Sequence, residues 1–451
     1  MTERGLYVPT NRWSPDAIGH GLTECAQLRE ITGQKYLFML VEHGGAETSA
    51  AHRTLLEQGV AEHDVPALHL TDAAWPAVAH VLVAAAGLTG GDAGRAAALL
   101  DPRDLAYGAG PNKAFLVAAA LDIDVLHRRD SDLVPDVVDG VPRYPGVLEA
   151  GAIGRPLRDV AGLLGAEAVP AALRDRRVDF VGSSYLGDAP QDRRDVLAAG
   201  LEHAVALQAL TRPSGPATPG LADDVRDYFL AEGQRYHPDD HLELDADADR
   251  IELGVSCVQG VFRQLPEMPM IRTLGTDYRQ RNLLTQLDAP VLFQSRKMRH
   301  VYGDERHVGR PVPGAVEYAL RDLRLVLLWV ASWRQRELIR AAPAAYLNPD
   351  GSLDAGRHAD ALRVALAETL PEIEAMPARF AAVYRNAAAS TDGPLAARLG
   401  AVAKAASDRA TDLVADVVRG VDDYCWLAER WPALVAAAPA AATELYPLIL
   451  S

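Results

Sequence analysis

The chain has 451 residues, 49% hydrophobic and 24% charged, a balance that excludes a disordered polypeptide and leaves room for two or three domains of roughly 100–200 residues. Its 45 basic residues against 61 acidic ones give a net charge of −16. That argues against nucleic-acid binding, because displacing the counterions of a phosphate backbone takes a basic surface.

From the first residues, a strand is expected over Gly5–Thr10, then a helix over Ala17–Thr32 after the turn-and-cap signal Ser14-Pro-Asp16. The uninterrupted apolar run Tyr36–Val41 reads as a strand covered on both faces. A helix at Thr48–Gln58, a short strand at Ala67–Leu70 and a helix at Ala74–Ala86 follow. This β-α-β-α-β-α order with short connections predicts a mostly parallel sheet with helices on both faces. The most apolar stretches, 78–88 and 323–333, fall short of the ~20 residues a membrane span needs. Met1–Gly5 carries no apolar leader, and Cys25, Cys257 and Cys425 fit neither a zinc spacing nor a disulfide framework. A cytoplasmic protein with buried thiols is the expectation.

The segment Tyr107-Gly-Ala-Gly-Pro-Asn-Lys113 precedes a helical run, Ala114–Ala120, which feeds the strand-like Asp124–His127. That run ends in Arg128-Arg-Asp-Ser-Asp132, then Pro135. Two carboxylates one residue apart at a strand's end can face one divalent cation. Mg²⁺ and Mn²⁺ take carboxylate oxygens together with those of a bound diphosphate. Ligands also gather at the carboxyl ends of strands in open α/β sheets. The plainer alternative is a turn of solvated acids in an acidic chain.

In these motifs the chain resembles the GT-A superfamily of nucleotide-sugar glycosyltransferases, of the family 2 type. The likeness rests on Pro9-Thr-Asn-Arg12 after the first strand, Gly108–Lys113 before a helix, and Asp130-Ser-Asp132 after the next strand. It implies a GT-A-like, Rossmann-type domain over residues 1–310, with a nucleotide-sugar half (1–150) and an acceptor half (151–310). It further implies that Pro9, Thr10, Asn11 and Arg12, with Glu42 after the second strand, hold the nucleotide. Gly110, Asn112, Lys113, Arg129 and Ser131 would serve the donor, and Asp130 and Asp132 would bind Mg²⁺ or Mn²⁺ on its diphosphate. Arg128 and Arg129 depart from the apolar residues usual before the acidic motif; they either contact the diphosphate or leave the sheet for solvent.

Two other glycine-rich motifs are excluded or weakened. Gly108-x-Gly110-x-x-Lys113 lacks the third glycine of a dinucleotide fingerprint and is not a P-loop. A sugar-phosphate nucleotidyltransferase shares the sheet and the metal, but Pro9–Trp13 has no glycine run. A non-catalytic interaction protein on a decayed enzyme domain is the third class. The acids Asp245-Ala-Asp-Ala-Asp249 read as a solvated loop, since no strand precedes them and no histidine completes a site.

Further on, Val178–Gly182 is another apolar run, and Thr273-Leu-Gly-Thr-Asp-Tyr278 opens a helix through Leu287. Asp277 is either that helix's N-cap or, as the resemblance implies for an inverting transfer, the base that takes the acceptor's proton. A late strand, Ala289–Phe293, leads to a basic stretch holding Arg296, Arg299, His300, Arg306 and His307. The resemblance makes His300 a third metal ligand, with Arg306 beside the leaving diphosphate. From 315 to 451 the pattern is helical and alanine-rich, with breaks near Pro343, Pro371 and Pro394. A bundle that packs on the catalytic domain or forms a homodimer is expected. Together these readings predict a cytoplasmic glycosyltransferase acting on a nucleotide-diphosphate sugar and a small-molecule acceptor.

Overall fold

The structure is a computed structural model that describes residues 4–43, 45–164, 169–187, 191, 193–212, 220–229, 239–245, 251–287, 289–301 and 312–451. It opens with β1 (Arg4–Thr10), α1 (Pro15–Thr32), β2 (Tyr36–Glu42), α2 (Ala46–His63), β3 (Ala67–Leu70), α3 (Trp75–Ala85), α4 (Gly90–Leu100), α5 (Ala109–Ala120) and β4 (Val125–Arg129). All of β2 is buried, as its unbroken apolar run requires of a strand covered on both sides. A hairpin of β5 (Leu133–Val138) and β6 (Val141–Arg143) leads to α6 (Gly146–Ala152), β7 (Phe180–Ser183) and β8 (Tyr185–Gly187). Then come α7 (Arg194–Ala199), α8 (Leu201–Ala209), α9 (Leu221–Phe229), β9 (Leu242–Leu244), β10 (Glu252–Gln259), α10 (Arg279–Gln286), β11 (Val291–Gln294) and β12 (Met298–His300). The last part holds α11 (Val312–Ala341), α12 (Ala355–Ala389), α13 (Gly393–Asp408), α14 (Ala410–Ala437), α15 (Ala442–Leu445) and β13 (Ile449–Leu450).

Among the described residues the main sheet has nine strands in the order β13-β3-β2-β1-β4-β10-β7-β11-β9. The chain winds outward from β1 through β2 to β3, then returns to place β4 on the other side of β1. That reversal makes a crevice beyond the carboxyl ends of β1 and β4, where open sheets take their ligands. The expected mostly parallel sheet is corrected to a mixed one: four pairings are parallel and four antiparallel. Two of the antiparallel pairings come from β10, which enters between β4 and β7 and runs against both, and the other two from the edge strands β9 and β13. A smaller sheet, β6-β5-β12-β8, stands beside the crevice.

Side-chain alternation divides the core. Leu6, Val8, Phe38 and Leu40 face α1 and α2, while Tyr7, Leu37, Met39 and Val41 face α3 to α5 and the bundle. The second core continues without a break from Phe115 and Leu126 to Leu323, Tyr424 and Trp431, so the expected boundary near 310–315 is no gap in packing. Trp431 Nε1 donates to the Phe262 carbonyl at 2.8 Å, and β13 pairs with β3 at the sheet's edge. Two expected helix breaks also move. Pro371 and Pro377 lie inside α12, whose packing between α11 and α14 outweighs the two missing hydrogen bonds, whereas the helix expected across 394–431 divides at Arg409 into α13 and α14.

Candidate active site

The carboxylates of Asp130 and Asp132 stand at the crevice, immediately after β4. The Asp130 N–H donates to the Gly254 carbonyl of β10 at 3.1 Å, which fixes the backbone where the strand ends. Arg128, on the same face of β4 as Leu126, is buried and donates from Nε to Asp130 Oδ1 at 2.9 Å. The Tyr185 hydroxyl approaches the other Asp130 oxygen at 3.3 Å while accepting the Gly254 N–H. Burial raises the Asp130 pKa; Arg128 offsets this in part, and the nearby carboxylates of Asp132 and Asp277 add to it.

Asp132 turns to different partners. Arg12, from the loop after β1, reaches its Oδ2 at 2.9 Å, and His300 Nε2 of β12 lies 3.2 Å from the same oxygen. The Val301 N–H donates to the Asp132 carbonyl, and the Tyr185 ring stacks on His300 with centroids 4.8 Å apart. The structure thus gathers Arg12, Asp130, Asp132 and His300 from three separate segments. It does not make the two acids and His300 one close set, because Asp130 points to Arg128 and Tyr185.

Asp277 joins the same crevice. Arg128 Nη2 lies 2.6 Å from its Oδ2, and among the described residues its other oxygen has no hydrogen bond. It is not the N-cap of α10. That helix begins at Arg279, and the N–H groups of Arg279 and Gln280 go to the carboxyl of Glu267 at 2.7 and 3.3 Å. Burial beside Asp277 pushes the Glu267 pKa up to about 8. Glu267 was missed in the sequence because its role depends on a neighbour twelve residues on, with no spacing signature of its own.

Several donor-binding expectations need correction. The glycine-rich segment is not a loop; it forms the first turn of α5, nearly all of which is buried. A Cβ on Gly108 would come within 2.3 Å of the Met268 carbonyl oxygen, and one on Gly110 within 3.1 Å of Pro9 Cβ. Asn112 exchanges two 2.8 Å hydrogen bonds with the backbone of Glu267, and Lys113 pairs with Asp101 at 2.9 Å. These residues therefore dock the segment around 265–268 instead of offering themselves to a phosphate. Arg129 points to the opposite side of the sheet from Arg128, where it binds Glu24 and Glu149. Glu42 is buried between His52 and His69; burial alone would raise its carboxyl, but these two histidines outweigh it and hold the pKa down to about 2.

Of the loop after β1, Thr10 bonds Ser14 and the Arg12 carbonyl, which shapes the turn that aims Arg12, and Asn11 is exposed. Trp13 stacks on His52 at 5.0 Å and stays half exposed at the crevice rim. Ser131 sits in the turn between the two acids. Arg306 and His307 lie outside the described residues, as do residues 246–249 of the second acidic cluster.

Beneath the sheet, His127 Nδ1 meets Glu149 Oε2 at 2.6 Å and its Nε2 lies 3.8 Å from Cys257 Sγ. Among the described residues this is the trio whose possible metal-ligand atoms all lie within 4.8 Å. Its members are fully buried and Glu149 also receives Arg129 and Gln294, so the group reads as an internally satisfied polar core. No helix among the described residues is long and apolar enough to cross a membrane.

A family model matches residues 4–446, nearly the whole chain. The protein belongs to the DUF6271 family, a family of unknown function. The match runs through sheet and bundle alike, in keeping with their shared core. Comparison with curated proteins finds no match.

Proposed function

We propose that this DUF6271 protein is a metal-dependent glycosyltransferase of GT-A type, moving a sugar from a nucleotide-diphosphate donor to a small-molecule acceptor. The observation that carries the reading is the convergence of Asp132, His300, Arg12 and Asp130 at the crevice between β1 and β4. Supporting it, the strand order reverses at that crevice, where nucleotide ligands bind in open sheets.

The residues fit a divalent cation. Asp130, Asp132 and Asp277 gather there with Arg12 and Arg128, more acid than arginine. Asp132 Oδ2 and His300 Nε2 lie 3.2 Å apart, an oxygen and an imidazole nitrogen side by side, both of which divalent cations accept as ligands. Asp132 and His300 would hold the ion directly, with Asp130 behind them. When bound, Mg²⁺ or Mn²⁺ would neutralise charge on the departing diphosphate. Arg12 supplies a further cation from the nucleotide side. Asp277, oriented by Arg128, would take a proton from the acceptor hydroxyl.

The test is calorimetric titration with UDP, GDP and dTDP in the presence and absence of Mn²⁺. Mn²⁺-dependent binding of one of them, lost in Asp132→Asn and weakened in His300→Ala, is the expected result. A nucleotide sugar that then yields nucleoside diphosphate, and not pyrophosphate, completes the assignment. Equal binding by parent and Asp132→Asn would remove the metal site from the reading.

A further inference from the structure

We infer that Arg128 is a positioning residue that clamps Asp130 and Asp277 into a fixed pair; its catalytic consequence rests on the glycosyl-transfer reading, whereas the clamp itself does not. The two hydrogen-bonding nitrogens, Nε and Nη2, share one edge of the guanidinium. A single carboxylate commonly occupies both in a bidentate pair. Here they part company: Nε goes to Asp130 at 2.9 Å and Nη2 to Asp277 at 2.6 Å. One acid follows β4 and the other precedes α10, so a rigid planar group ties together two parts of the chain distant in sequence.

The clamp is unequal, and that gives each acid its task. Asp130 is held at both oxygens, by Arg128 and by Tyr185, which is itself fixed by the Gly254 N–H. Asp277 is held at one oxygen, and its other has no hydrogen bond among the described residues. Arg128 is buried, so solvent cannot substitute for its donors. A lysine carries the same charge but lacks two donors on one fixed edge, and cannot hold both acids in this relation. Arg128 thus acts on the reaction through Asp277, and does not bind the donor.

Two double-mutant cycles test this. The first needs no activity: unfolding midpoints of Arg128→Met, Asp277→Ala and the double variant. A clamp predicts that the double variant loses clearly less than the two single losses added together. Additive losses would overturn it.

The second cycle follows nucleoside diphosphate release from UDP-glucose, GDP-mannose and dTDP-glucose with Mn²⁺. Arg128→Lys is expected to lower kcat on the order of 10²-fold, the cost of misplacing a reacting group, with KM for the donor little changed. In the Asp277→Ala background the same substitution should lower kcat less than about threefold. A loss confined to KM, or an equal loss in both backgrounds, would overturn the positioning role. If the parent protein neither binds nor turns over any of these nucleotides while the midpoints remain coupled, the glycosyltransferase reading falls and the clamp stands.

Discussion

Asp277 spends one carboxylate oxygen on Arg128, while its other oxygen has no hydrogen bond among the described residues, which the proposed base role requires. On the glycosyl-transfer reading, Asp277→Asn is expected to keep donor affinity and lose turnover by ~10²–10⁴-fold, and the parent's product to be inverted at its anomeric centre. Near-parental turnover, or a retained configuration, would take the base role from it. A second residue shows how burial sets a pH response. His358, enclosed among Gln335, Tyr424 and Arg279, has its pKa lowered to about 3 by burial and by the Arg279 charge. The folded state then favours the neutral ring. Its contribution is fully present above pH 6.5, the ordinary value, and is lost as pH falls toward 3. At about 1.4 kcal/mol per unit the loss is on the order of 5 kcal/mol at most. Chemical denaturation of His358→Gln should show a shallower decline than the parent between pH 6.5 and 4.5; parallel curves would contradict the assignment. The paired acids after β4 were legible because their spacing is local. Arg129 was misread because its sequence neighbour Arg128 shares its charge but, by strand alternation, not its face.

At the scale of elements, α5 and the segment around 265–268 form one unit. Asn112 grips the Glu267 backbone, Gly108 leaves room for the Met268 carbonyl, and Glu267 caps α10 just after Asp277. Gly108→Ala has no backbone penalty, since Gly108 has φ −79, so its cost is purely one of space. A loss of about 1–3 kcal/mol by denaturant unfolding is expected, together with reduced turnover as the start of α10 shifts. Unchanged stability would show that the contact yields. The glycines were visible in the sequence, but the same residue type serves a phosphate or a crossing backbone, and only the partner decides. The β5–β6 hairpin was missed although Asp139-Gly140, with φ 51 and 80, is the strongest short hairpin signal a sequence offers. Pro135 masked it by reading as a helix stop. In the structure it occupies a strand beside Met298 of β12.

For the whole molecule, the bundle and the α/β sheet share one core. Trp431 is fully buried among residues of both and bonds the Phe262 carbonyl. Trp431→Ala should cost about 3–5 kcal/mol, and the parent should unfold in a single calorimetric transition. Two separated transitions would restore independent domains. The shared core was not legible because apolar periodicity marks a buried helix face without naming what covers it. The order of the strands has one more consequence, for how the chain reaches this state. β4 pairs with β1 without waiting, but β7 cannot join it in the sheet until β10, made some seventy residues after β7, arrives between them. Until then the edge of β4 is open to wrong partners, and pairings so distant in sequence form slowly. The edge that waits carries Arg128, Arg129 and Asp130, charges that discourage a stray strand from adding there. Arg128 and Asp130, which line the crevice in the finished protein, would thus serve the sheet earlier too, by opposing stray pairing while it is still being assembled.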